Sequence, residues 1–429
     1  MKKQFSLMAL LLATSSAYAE QAAKNIIYMI GDGMGPAYTT AYRYFKDDAS
    51  TKEIESTVFD SILTGMAHTY PDDHTYVTDS AASATALSSG QKSYNGAIAV
   101  DTAKQPVNTM LEIAKQRGMT TALVATSQIN HATPASFAAH NESRKNYDAI
   151  ANDYIDNKIN GKLPVDLLLG GGTHYFIRED RDLVAEFKAA GYQYGDDISH
   201  LAEITQLPAI GLYAPKALPF ALDKNPTRLT QLTAKAFELL TKSNDTGFFV
   251  MIEGSQIDWC GHANDIACAM AEMDDFAHSV TLAKQYVDAN PDTILVVTAD
   301  HSTGGLTLGA HGQYKWDTEV VKGIKASASK LTQLLMAASD LAPVWAAHSS
   351  IEFTVENKIK LEQAKKMGEK TLNLAVKDII NTASFTGWTT GGHTAVDVQV
   401  FAYGKGSEQF IGSQNNTEIA DKLINVINN

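Results

Sequence analysis

The chain is poor in cysteine, in basic residues and in long apolar runs. Only two of its 429 residues are Cys, and 35 Lys and Arg stand against 48 Asp and Glu, a formal net charge of -13. Two cysteines exclude a thiolate metal cluster and a disulfide-stapled scaffold. The acidic balance argues against nucleic acid or an anionic membrane as a partner. No run reaches the roughly 20 apolar residues of a membrane-spanning helix.

The two cysteines, Cys260 and Cys268, are eight residues apart. On one straight helix their Cα atoms would lie about 12 Å apart, which is too far for a disulfide. A bridge therefore requires a loop between them. Both the bonded and the free state stay open at this point.

The N-terminus has the pattern of a secretory signal peptide. Lys2 and Lys3 precede a short apolar run, Phe5–Ala13, and Ala17-Tyr18-Ala19 has the small-x-small pattern of a cleavage site. The run is too short to anchor the chain in a bilayer. We expect cleavage after Ala19, with residues 1–19 removed and the protein periplasmic or secreted.

Short apolar runs alternate with amphipathic segments along the rest of the chain. The runs predict strands at Ile26–Ile30, Thr121–Ala125, Val165–Leu169, Phe248–Ile252, Ile294–Thr298 and Val398–Tyr403. The segments predict helices at Val107–Arg117, Leu183–Ala190, Pro226–Lys242, Ile266–Asp288 and Glu418–Ile427. Alternation of this kind predicts an α/β fold with a central, mostly parallel sheet sandwiched by helices.

One segment, residues 310–385, interrupts this alternation. It contains Ala- and Lys-rich helical pieces at Val321–Ala338 and Glu356–Met367. No linker marks a second independent domain. We therefore predict one domain over residues 20–429, with residues 310–385 as an insertion that forms a cap, a subunit contact or a mobile surface loop.

Polar residues follow the predicted strands where ligands bind in open α/β sheets. Candidate metal ligands in these positions are Asp32, Glu253, Asp258, His262, Asp300, His301 and His393. Singly, each has an ordinary explanation as a turn residue or a surface contact. Together they favour a metal site, because Asp258 and His262 share one helix face and Glu253 is costly to bury without a cation. Mixed Asp and His ligands suit catalytic zinc, and oxygen ligands alone suit magnesium.

Ser80 is the candidate nucleophile. Asp79-Ser80 precedes a run of small residues, 81–87, with helical character. Ser80 could simply cap this helix. Alternatively, a serine at a helix N-terminus beside a metal could attack a phosphoryl group that the free N–H groups attract.

With these motifs the chain resembles the alkaline phosphatase family. The matching motifs are IGDGMG at 30–35, TDSAASATA at 78–86, HATPAS at 131–136, HNESRK at 140–145, EGSQIDWCGH at 253–262, TADH at 298–301 and GGHTA at 391–395. They span nearly the whole mature chain in the family's order. The resemblance implies a broad-specificity phosphomonoesterase with two zinc ions, one magnesium ion and a phosphoserine intermediate.

The resemblance also assigns roles to individual residues. It implies a first zinc held by Asp258, His262 and His393, and a second held by Asp32, Asp300 and His301. Magnesium would take Asp32, Thr133 and Glu253. Ser80 would be the nucleophile, and Arg144 would bind the phosphate. The insertion at 310–385 stands where the family has its crown loop, which implies a homodimer.

Two positions depart from some bacterial members, which have Asp in place of His131 and Lys in place of Trp259. The pair resembles a branch that includes marine and cold-active bacterial enzymes. It implies that His131 stands behind the magnesium ligands or binds the ion through water. Because Trp259 stands where those members have a cation that holds phosphate through water, the resemblance implies looser phosphate binding here. Trp259 and His131 are both candidate substrate-binding residues.

Four other functions fit less well. Sulfatases need a C/S-x-P-x-R motif, whereas Ser80 is followed by Ala-Ala-Ser. Phosphodiesterases of the superfamily usually lack the third-metal residues, here Thr133 and Glu253. An exported phosphate-binding protein would not need so many zinc ligands, and structural zinc sites favour cysteine.

Overall fold

The computed structural model describes residues 22–242 and 245–429, so the predicted signal peptide, residues 1–19, lies outside the described residues. The strands are β1 (Asn25–Gly31), β2 (Leu63–His68), β3 (Thr120–Gln128), β4 (Leu167–Gly171), β5 (Gln193–Gly195), β6 (Ala209–Leu212), β7 (Phe248–Gly254), β8 (Thr293–Thr298), β9 (Ser302–Thr303), β10 (Thr307–Leu308), β11 (Thr386–Gly387), β12 (His393–Thr394), β13 (Val398–Gly404) and β14 (Gly412–Asn415).

The helices alternate with these strands. They are α1 (Pro36–Lys46), α2 (Val58–Ile62), α3 (Ser80–Ser89), α4 (Met110–Gln116), α5 (Ala132–Ala138), α6 (Tyr147–Asp156), α7 (Thr173–Phe176), α8 (Leu183–Ala189), α9 (Arg228–Leu240), α10 (Gln256–His262), α11 (Ile266–Ala289), α12 (Thr318–Lys322), α13 (Ala328–Ala337), α14 (Leu341–His348), α15 (Val355–Lys366), α16 (Glu369–Ser384) and α17 (Asn416–Asn428). Short 3₁₀ turns occur at Ile198–Glu203 and Ser407–Phe410.

Ten strands form one sheet in the order β14-β2-β13-β8-β1-β7-β3-β4-β6-β5. Every neighbouring pair is parallel except those of β13, which runs antiparallel to both β2 and β8. The predicted α/β fold with a mostly parallel central sheet is confirmed. The antiparallel direction of β13, the edge strands β5 and β14, and the inner strands β2 and β6 were not part of the prediction.

The centre of the sheet places the candidate ligands on one edge. Strand β1 lies between β7 and β8, with Ile30 opposite Glu253 on one side and Thr298 on the other. All seven residues of β1 except Asn25 are buried, and β7 and β8 are buried throughout. Parallel strands in register end together, so the residues after β1, β8 and β3 meet those at the end of β7.

A short turn separates α10 from α11 and answers the question left by the cysteines. Cys260 on α10 and Cys268 on α11 form a disulfide with their Cα atoms 5.5 Å apart. The turn at residues 263–265 supplies the loop that such a bridge requires, because it lets α11 fold back beside α10. The bridge ties the element that carries Asp258 and His262 to the long helix α11.

The predicted insertion is mostly helical. It contains α12 to α16, of which α16 contacts α12, α13 and α15. The predicted helix Val321–Ala338 is in fact two helices, because the chain turns at residues 323–327 between α12 and α13. Leu331, Trp345 and Leu361 are fully buried and belong to the same apolar core as the sheet. Within the described residues no helix is long and apolar enough to cross a membrane.

Candidate active site and metal centres

The candidate ligands come together at the carboxyl edge of four adjacent strands. Asp32 follows β1, Glu253 lies in β7, Asp300 and His301 follow β8, and His131 follows β3. Helix α10 brings Asp258 and His262, and β12 brings His393. Most of these side chains are buried, but His262 keeps 40% of its side chain exposed. The site is therefore a buried cluster that opens to solvent at His262.

Asp258, His262 and His393 form one group that could hold a metal ion. His262 Nε2 lies 3.3 Å from Asp258 Oδ2, and His393 Nε2 lies 3.5 Å from Asp258 Oδ1. The two imidazole Nε2 atoms are 3.1 Å apart. This is the set expected for the first zinc.

Hydrogen bonds to carbonyls fix the orientation of both imidazoles in this group. His262 Nδ1 donates to the carbonyl of Gly391 at 2.6 Å, and His393 Nδ1 donates to that of Thr78 at 2.8 Å. Because a carbonyl only accepts, each Nδ1 carries the proton and each Nε2 keeps its lone pair. Both lone pairs point into the group.

A second group lies around Asp32 and His301. His301 Nε2 is 3.4 Å from Asp32 Oδ1 and 3.2 Å from Asp300 Oδ2, which are the three residues expected at the second zinc. Asp258 also falls within reach of Asp32 and His301. Asp258 therefore lies within reach of a metal ion in either group.

Thr303 connects the two groups. Its hydroxyl donates to Asp258 Oδ1 at 2.5 Å and accepts from His301 Nδ1 at 3.2 Å. With its Nδ1 proton engaged in this way, His301 directs its Nε2 towards Asp32 and Asp300. Sequence reasoning did not single out Thr303, because a threonine two residues after a ligand carries no recognisable signal.

The third group contains Asp32, His131 and Glu253. Asp32 Oδ2, Glu253 Oε1 and Thr133 Oγ1 are buried oxygens without a hydrogen-bond partner among the described residues. Buried oxygens of this kind are costly unless a cation or water satisfies them. They belong to the three residues expected at magnesium, and the His131 ring stands beside them with its buried Nδ1 also unpartnered.

The pKa values of the cluster are those of a site built for positive charge. Burial, and then the charge of Asp300, raises the pKa of Asp32 well above its usual range. Burial raises the pKa of Glu253 to about 7. Burial also lowers the pKa of His131 to about 3 and that of His393 to about 4, so both imidazoles are neutral at neutral pH. Neutral imidazoles and crowded carboxylates are the forms that bind metal cations.

His301 behaves differently from the other two imidazoles. Burial is the largest single influence and opposes its protonation, but the charge and hydrogen bond of Asp300 together with the charges of Asp258 and Asp79 raise the pKa of His301. Burial likewise opposes ionisation of Asp300, but His301, the N–H of Gly33 and His393 together lower the pKa of Asp300 below its usual range. The carboxylates therefore favour a positive charge close to His301 Nε2, whether it is a proton or a metal ion.

Ser80 is the first residue of α3, and the helix is capped by Asp79. Asp79 Oδ1 accepts from the N–H of Ala82 at 2.9 Å. The alternative that Ser80 merely caps the helix is therefore wrong. The Ser80 hydroxyl instead points into the cluster, 3.1 Å from His301 Nε2 and 3.4 Å from Asp32 Oδ1.

Arg144 reaches the same place from the loop after α5. Its Nη1 donates to Asp79 Oδ2 at 3.0 Å, and its Nη2 lies 3.5 Å from His131 Nε2. Trp259 packs edge-to-face on His131 with ring centroids 5.7 Å apart. Asp79 is thus a second residue that sequence reasoning left without a role: it caps α3 and orients Arg144.

Comparison with known proteins gives this arrangement a family. The family model for alkaline phosphatase matches residues 23–428. The chain belongs to the alkaline phosphatase family. It is 46% identical over 411 residues to alkaline phosphatase 3 of Bacillus subtilis, which covers 94% of this chain and 89% of the relative.

Solved alkaline phosphatases have the same fold. The cold-active alkaline phosphatase of a Shewanella species superimposes with a TM-score of 0.90 at 51% identity, covering 94% of this chain and 99% of that one. The alkaline phosphatase of the Antarctic bacterium TAB5 gives 0.70 at 31% identity, covering 95% and 98%. A TAB5 variant with a histidine replaced by glutamate has magnesium in its third metal site. The chain is accordingly a metal-binding phosphoric monoester hydrolase, as the family resemblance implied.

Proposed function

We propose that the protein is an exported phosphatase that hydrolyses many phosphate monoesters through a phosphoserine at Ser80, with two zinc ions and one magnesium ion. The observation that carries this proposal is the position of the Ser80 hydroxyl, which lies within 3.4 Å of both His301 Nε2 and Asp32 Oδ1. A serine held at a helix N-terminus against candidate metal ligands is placed for attack on phosphorus.

The donor atoms support two kinds of metal. Asp258, His262 and His393 would hold the first zinc, and Asp32, Asp300 and His301 the second, since both sets mix carboxylates with imidazoles. Asp32, Thr133 and Glu253 would hold magnesium, because they offer only oxygen ligands and each has one buried side-chain oxygen without a hydrogen-bond partner among the described residues. When bound, these ions supply the positive charge that lowers the pKa of the serine hydroxyl and neutralises the phosphoryl oxygens.

The protein's own residues account for two displacements. Ser80 Oγ loses its proton to solvent and attacks phosphorus, the bond from phosphorus to the alcohol oxygen breaks, and the leaving oxygen takes up a proton from solvent, which transfers the phosphoryl group to serine. Water then loses a proton to solvent and attacks the phosphoserine from the side that the alcohol left, the bond from phosphorus to Ser80 Oγ breaks, phosphate departs and Ser80 regains its proton. Two in-line displacements predict retention of configuration at phosphorus and transfer of phosphate to added alcohols.

Arg144 would hold the equatorial oxygens of the phosphoryl group. Its guanidinium is anchored through Asp79, and its remaining N–H groups, one of them beside His131, can bind two phosphate oxygens at once. Recognition would then rest on the phosphoryl group itself. Broad monoester specificity follows, because none of these contacts would involve the alcohol part of the substrate.

Three further parts of the proposal rest on the sequence and the family. Export to the periplasm or the medium rests on the signal-peptide pattern of residues 1–19. Trp259 and His131 would contact the substrate's phosphate from beside Arg144. A homodimer would use the insertion at 310–385, and neither nucleic acid nor membrane is expected as a dedicated partner.

The deciding experiment compares p-nitrophenyl phosphate with its bis-ester on the purified protein at alkaline pH. We expect rapid hydrolysis of the monoester, loss of activity in EDTA and recovery on addition of zinc. Magnesium added after zinc should raise the activity further. Preference for the bis-ester would instead indicate a phosphodiesterase, and activity that survives EDTA would contradict the metal assignment.

The phosphoserine is tested on the same protein. Brief incubation with ³²P-labelled substrate followed by acid quench should leave label on wild type and none on Ser80→Ala. Ser83→Ala is the matched control, because Ser83 lies on the same helix but donates to the carbonyl of Asp300. Label retained by Ser80→Ala would remove Ser80 from the mechanism.

A further inference from the structure

The first metal group is built from two chain segments that are far apart in sequence. His262 ends α10, and His393 follows the loop at residues 388–392. Their Nε2 atoms come within 3.1 Å of each other, and the Nδ1 of His262 donates to Gly391 in the second segment. The metal-binding geometry therefore depends on how these two segments are held together.

Asn264 holds the segments together just behind the ligands. It lies in the turn after α10 with a positive φ of 53°. Its side-chain amide donates to the carbonyl of Gly261 at 3.0 Å and to that of Thr390 at 2.9 Å. The turn after His262 is thereby bonded to the loop before His393.

Helix α16 of the insertion forms hydrogen bonds with the same two segments. Lys377 Nζ donates to the carbonyl of Ala263 at 2.7 Å, and Asn381 Nδ2 donates to that of Asn264 at 3.2 Å. The other end of the Asn381 amide accepts from Trp388 Nε1 at 3.2 Å. One side chain thus binds the His262 turn and the His393 loop at once.

The Trp388 end of this connection is itself closely packed. A Cβ added at Gly304 would lie 2.5 Å from the Trp388 ring, so only glycine fits there. The carbonyl of Gly304 accepts from the N–H groups of both Thr389 and Thr390. The His393 loop is therefore confined between Gly304 and α16, and a shift of α16 would move it.

We propose that α16 positions the first metal site, with Asn381 as the positioning residue that sets the spacing between His262 and His393. The insertion then acts on the metal centre through the two segments that carry its histidines, in addition to any part in subunit contact. This inference rests on the proposed function, because it takes zinc as the ion held by Asp258, His262 and His393. Groups that orient metal ligands commonly change metal affinity about 10–100-fold when removed.

The test measures zinc release rather than turnover. Zinc-loaded wild type, Asn381→Ala and Asn373→Ala are mixed with an excess of a chromophoric chelator. Asn373 is a matched control, because it lies on α16, is half-buried like Asn381 and donates at 3.2 Å to Thr332 Oγ1 inside the insertion. We expect one zinc equivalent to leave Asn381→Ala about tenfold faster than Asn373→Ala, with the second zinc unchanged.

A second variant separates positioning from a general loss of folding. Asn381→Asp keeps the acceptor for Trp388 Nε1 but loses the donor to Asn264, and it should also release one zinc equivalent faster. Saturating zinc should restore phosphatase activity in both Asn381 variants, whereas activity lost by unfolding would not return.

The outcomes distinguish this inference from the proposed function. If wild type binds zinc and hydrolyses the monoester, but both Asn381 variants release zinc at the rate of Asn373→Ala, the positioning role is wrong and the proposed function stands. Equal acceleration of both zinc ions would also overturn it, because these hydrogen bonds of α16 go to the two segments that carry His262 and His393. If wild type binds no zinc, the proposed function and this inference fail together.

Discussion

Arg144 illustrates how a single side chain is aimed by its neighbours. Asp79 anchors one edge of its guanidinium and His131 stands by the other. We expect Arg144→Ala to lower kcat/KM for p-nitrophenyl phosphate by about 10²-fold or more, because a charged donor to the transition state is lost. Arg144→Lys should recover only part of this, since an ammonium cannot bind two oxygens in a fork.

The adjacent Lys145 provides the control for this prediction. It is exposed, and its side chain has no place in the candidate site. Lys145→Ala should keep kcat/KM within about twofold of wild type, as surface substitutions usually do. If Arg144→Ala behaved in the same way, the phosphate would have to be held by other groups.

Glu253 makes a prediction about pH. Burial raises its pKa from an ordinary value near 4.5 to about 7. In EDTA the folded protein therefore favours protonated Glu253. This preference contributes to the free energy of unfolding below about pH 4.5, and the contribution is lost as the pH rises through 7. A shift of this size corresponds to about 3 kcal/mol.

The variant Glu253→Gln isolates this effect from the histidines that titrate nearby. In EDTA, its free energy of unfolding relative to wild type should rise steadily between pH 4.5 and pH 7 and then level off. Urea unfolding at a series of pH values measures this difference. With metal present, wild type should be more stable than Glu253→Gln at neutral pH, because the Glu253 carboxylate then has a cation partner. A pH-independent difference in EDTA would contradict the assignment.

At the scale of elements, the disulfide between α10 and α11 is the clearest test. It closes a short loop whose turn leads directly from His262 to α11. Replacing Cys260 and Cys268 together by Ala should lower the free energy of unfolding by about 2 kcal/mol, because the unfolded chain regains the entropy of that loop.

Urea unfolding of the zinc-loaded protein measures the loss. Wild type unfolded in a strong reductant is the control and should show the same shift in midpoint, with no further shift when the double variant is reduced. Identical midpoints for wild type and the double variant would show that the bridge adds nothing to stability.

Sequence patterns predicted the central elements well and the edges poorly. The runs that became β1, β7 and β8 are continuously apolar because both faces are covered, and this is what made them recognisable. Strands β5 and β14 read Gln-Tyr-Gly and Gly-Ser-Gln-Asn, and as edge strands they need no apolar run. The antiparallel direction of β13 is a matter of topology that no local pattern encodes.

Some residues of the candidate site could likewise be predicted from the sequence and others could not. Asp258 and His262 lie one helical turn apart, and the strand ends mark Asp32 and Asp300, so spacing alone drew attention to them. Thr303 and Asn381 could not be found in this way. Their roles depend on contacts across the fold, such as the one between Asn381 and Asn264, 117 residues apart along the chain.

At the scale of the whole molecule, the proposed homodimer can be examined through the insertion. Helices α15 and α16 expose an apolar face in which Val355 and Met367 are 76% and 74% exposed and Ile359 and Leu374 are about half exposed. Lys360 and Asp378, which form an ion pair between the two helices, lie beside these apolar side chains. In a homodimer with twofold symmetry the same face of each copy meets the other, so these exposed apolar side chains would be buried against one another.

Sedimentation velocity tests this surface. We expect wild type to sediment at twice the 46.3 kDa mass of one chain, less the signal peptide. The double substitution Ile359→Asp and Leu374→Asp should yield monomers. Ile411→Asp is the control, since Ile411 is 69% exposed but lies next to β14, outside the insertion. A wild-type monomer would refute the dimer, and a variant that stays dimeric would move the contact elsewhere.

The antiparallel pairing of β13 with β8 has a consequence for how relatives of this chain can diverge. Thr298 at the end of β8 pairs with Val400 in β13, so about a hundred residues form one excursion between two strands that touch. Doubling the length of such an excursion costs only about 0.6 kcal/mol in closure entropy. Evolution can therefore lengthen, trim or exchange this excursion without disturbing the sheet. Because His301 lies near the start of this excursion and His393 near its end, each exchange of the residues between them would alter the surroundings of the candidate site while the sheet is inherited intact.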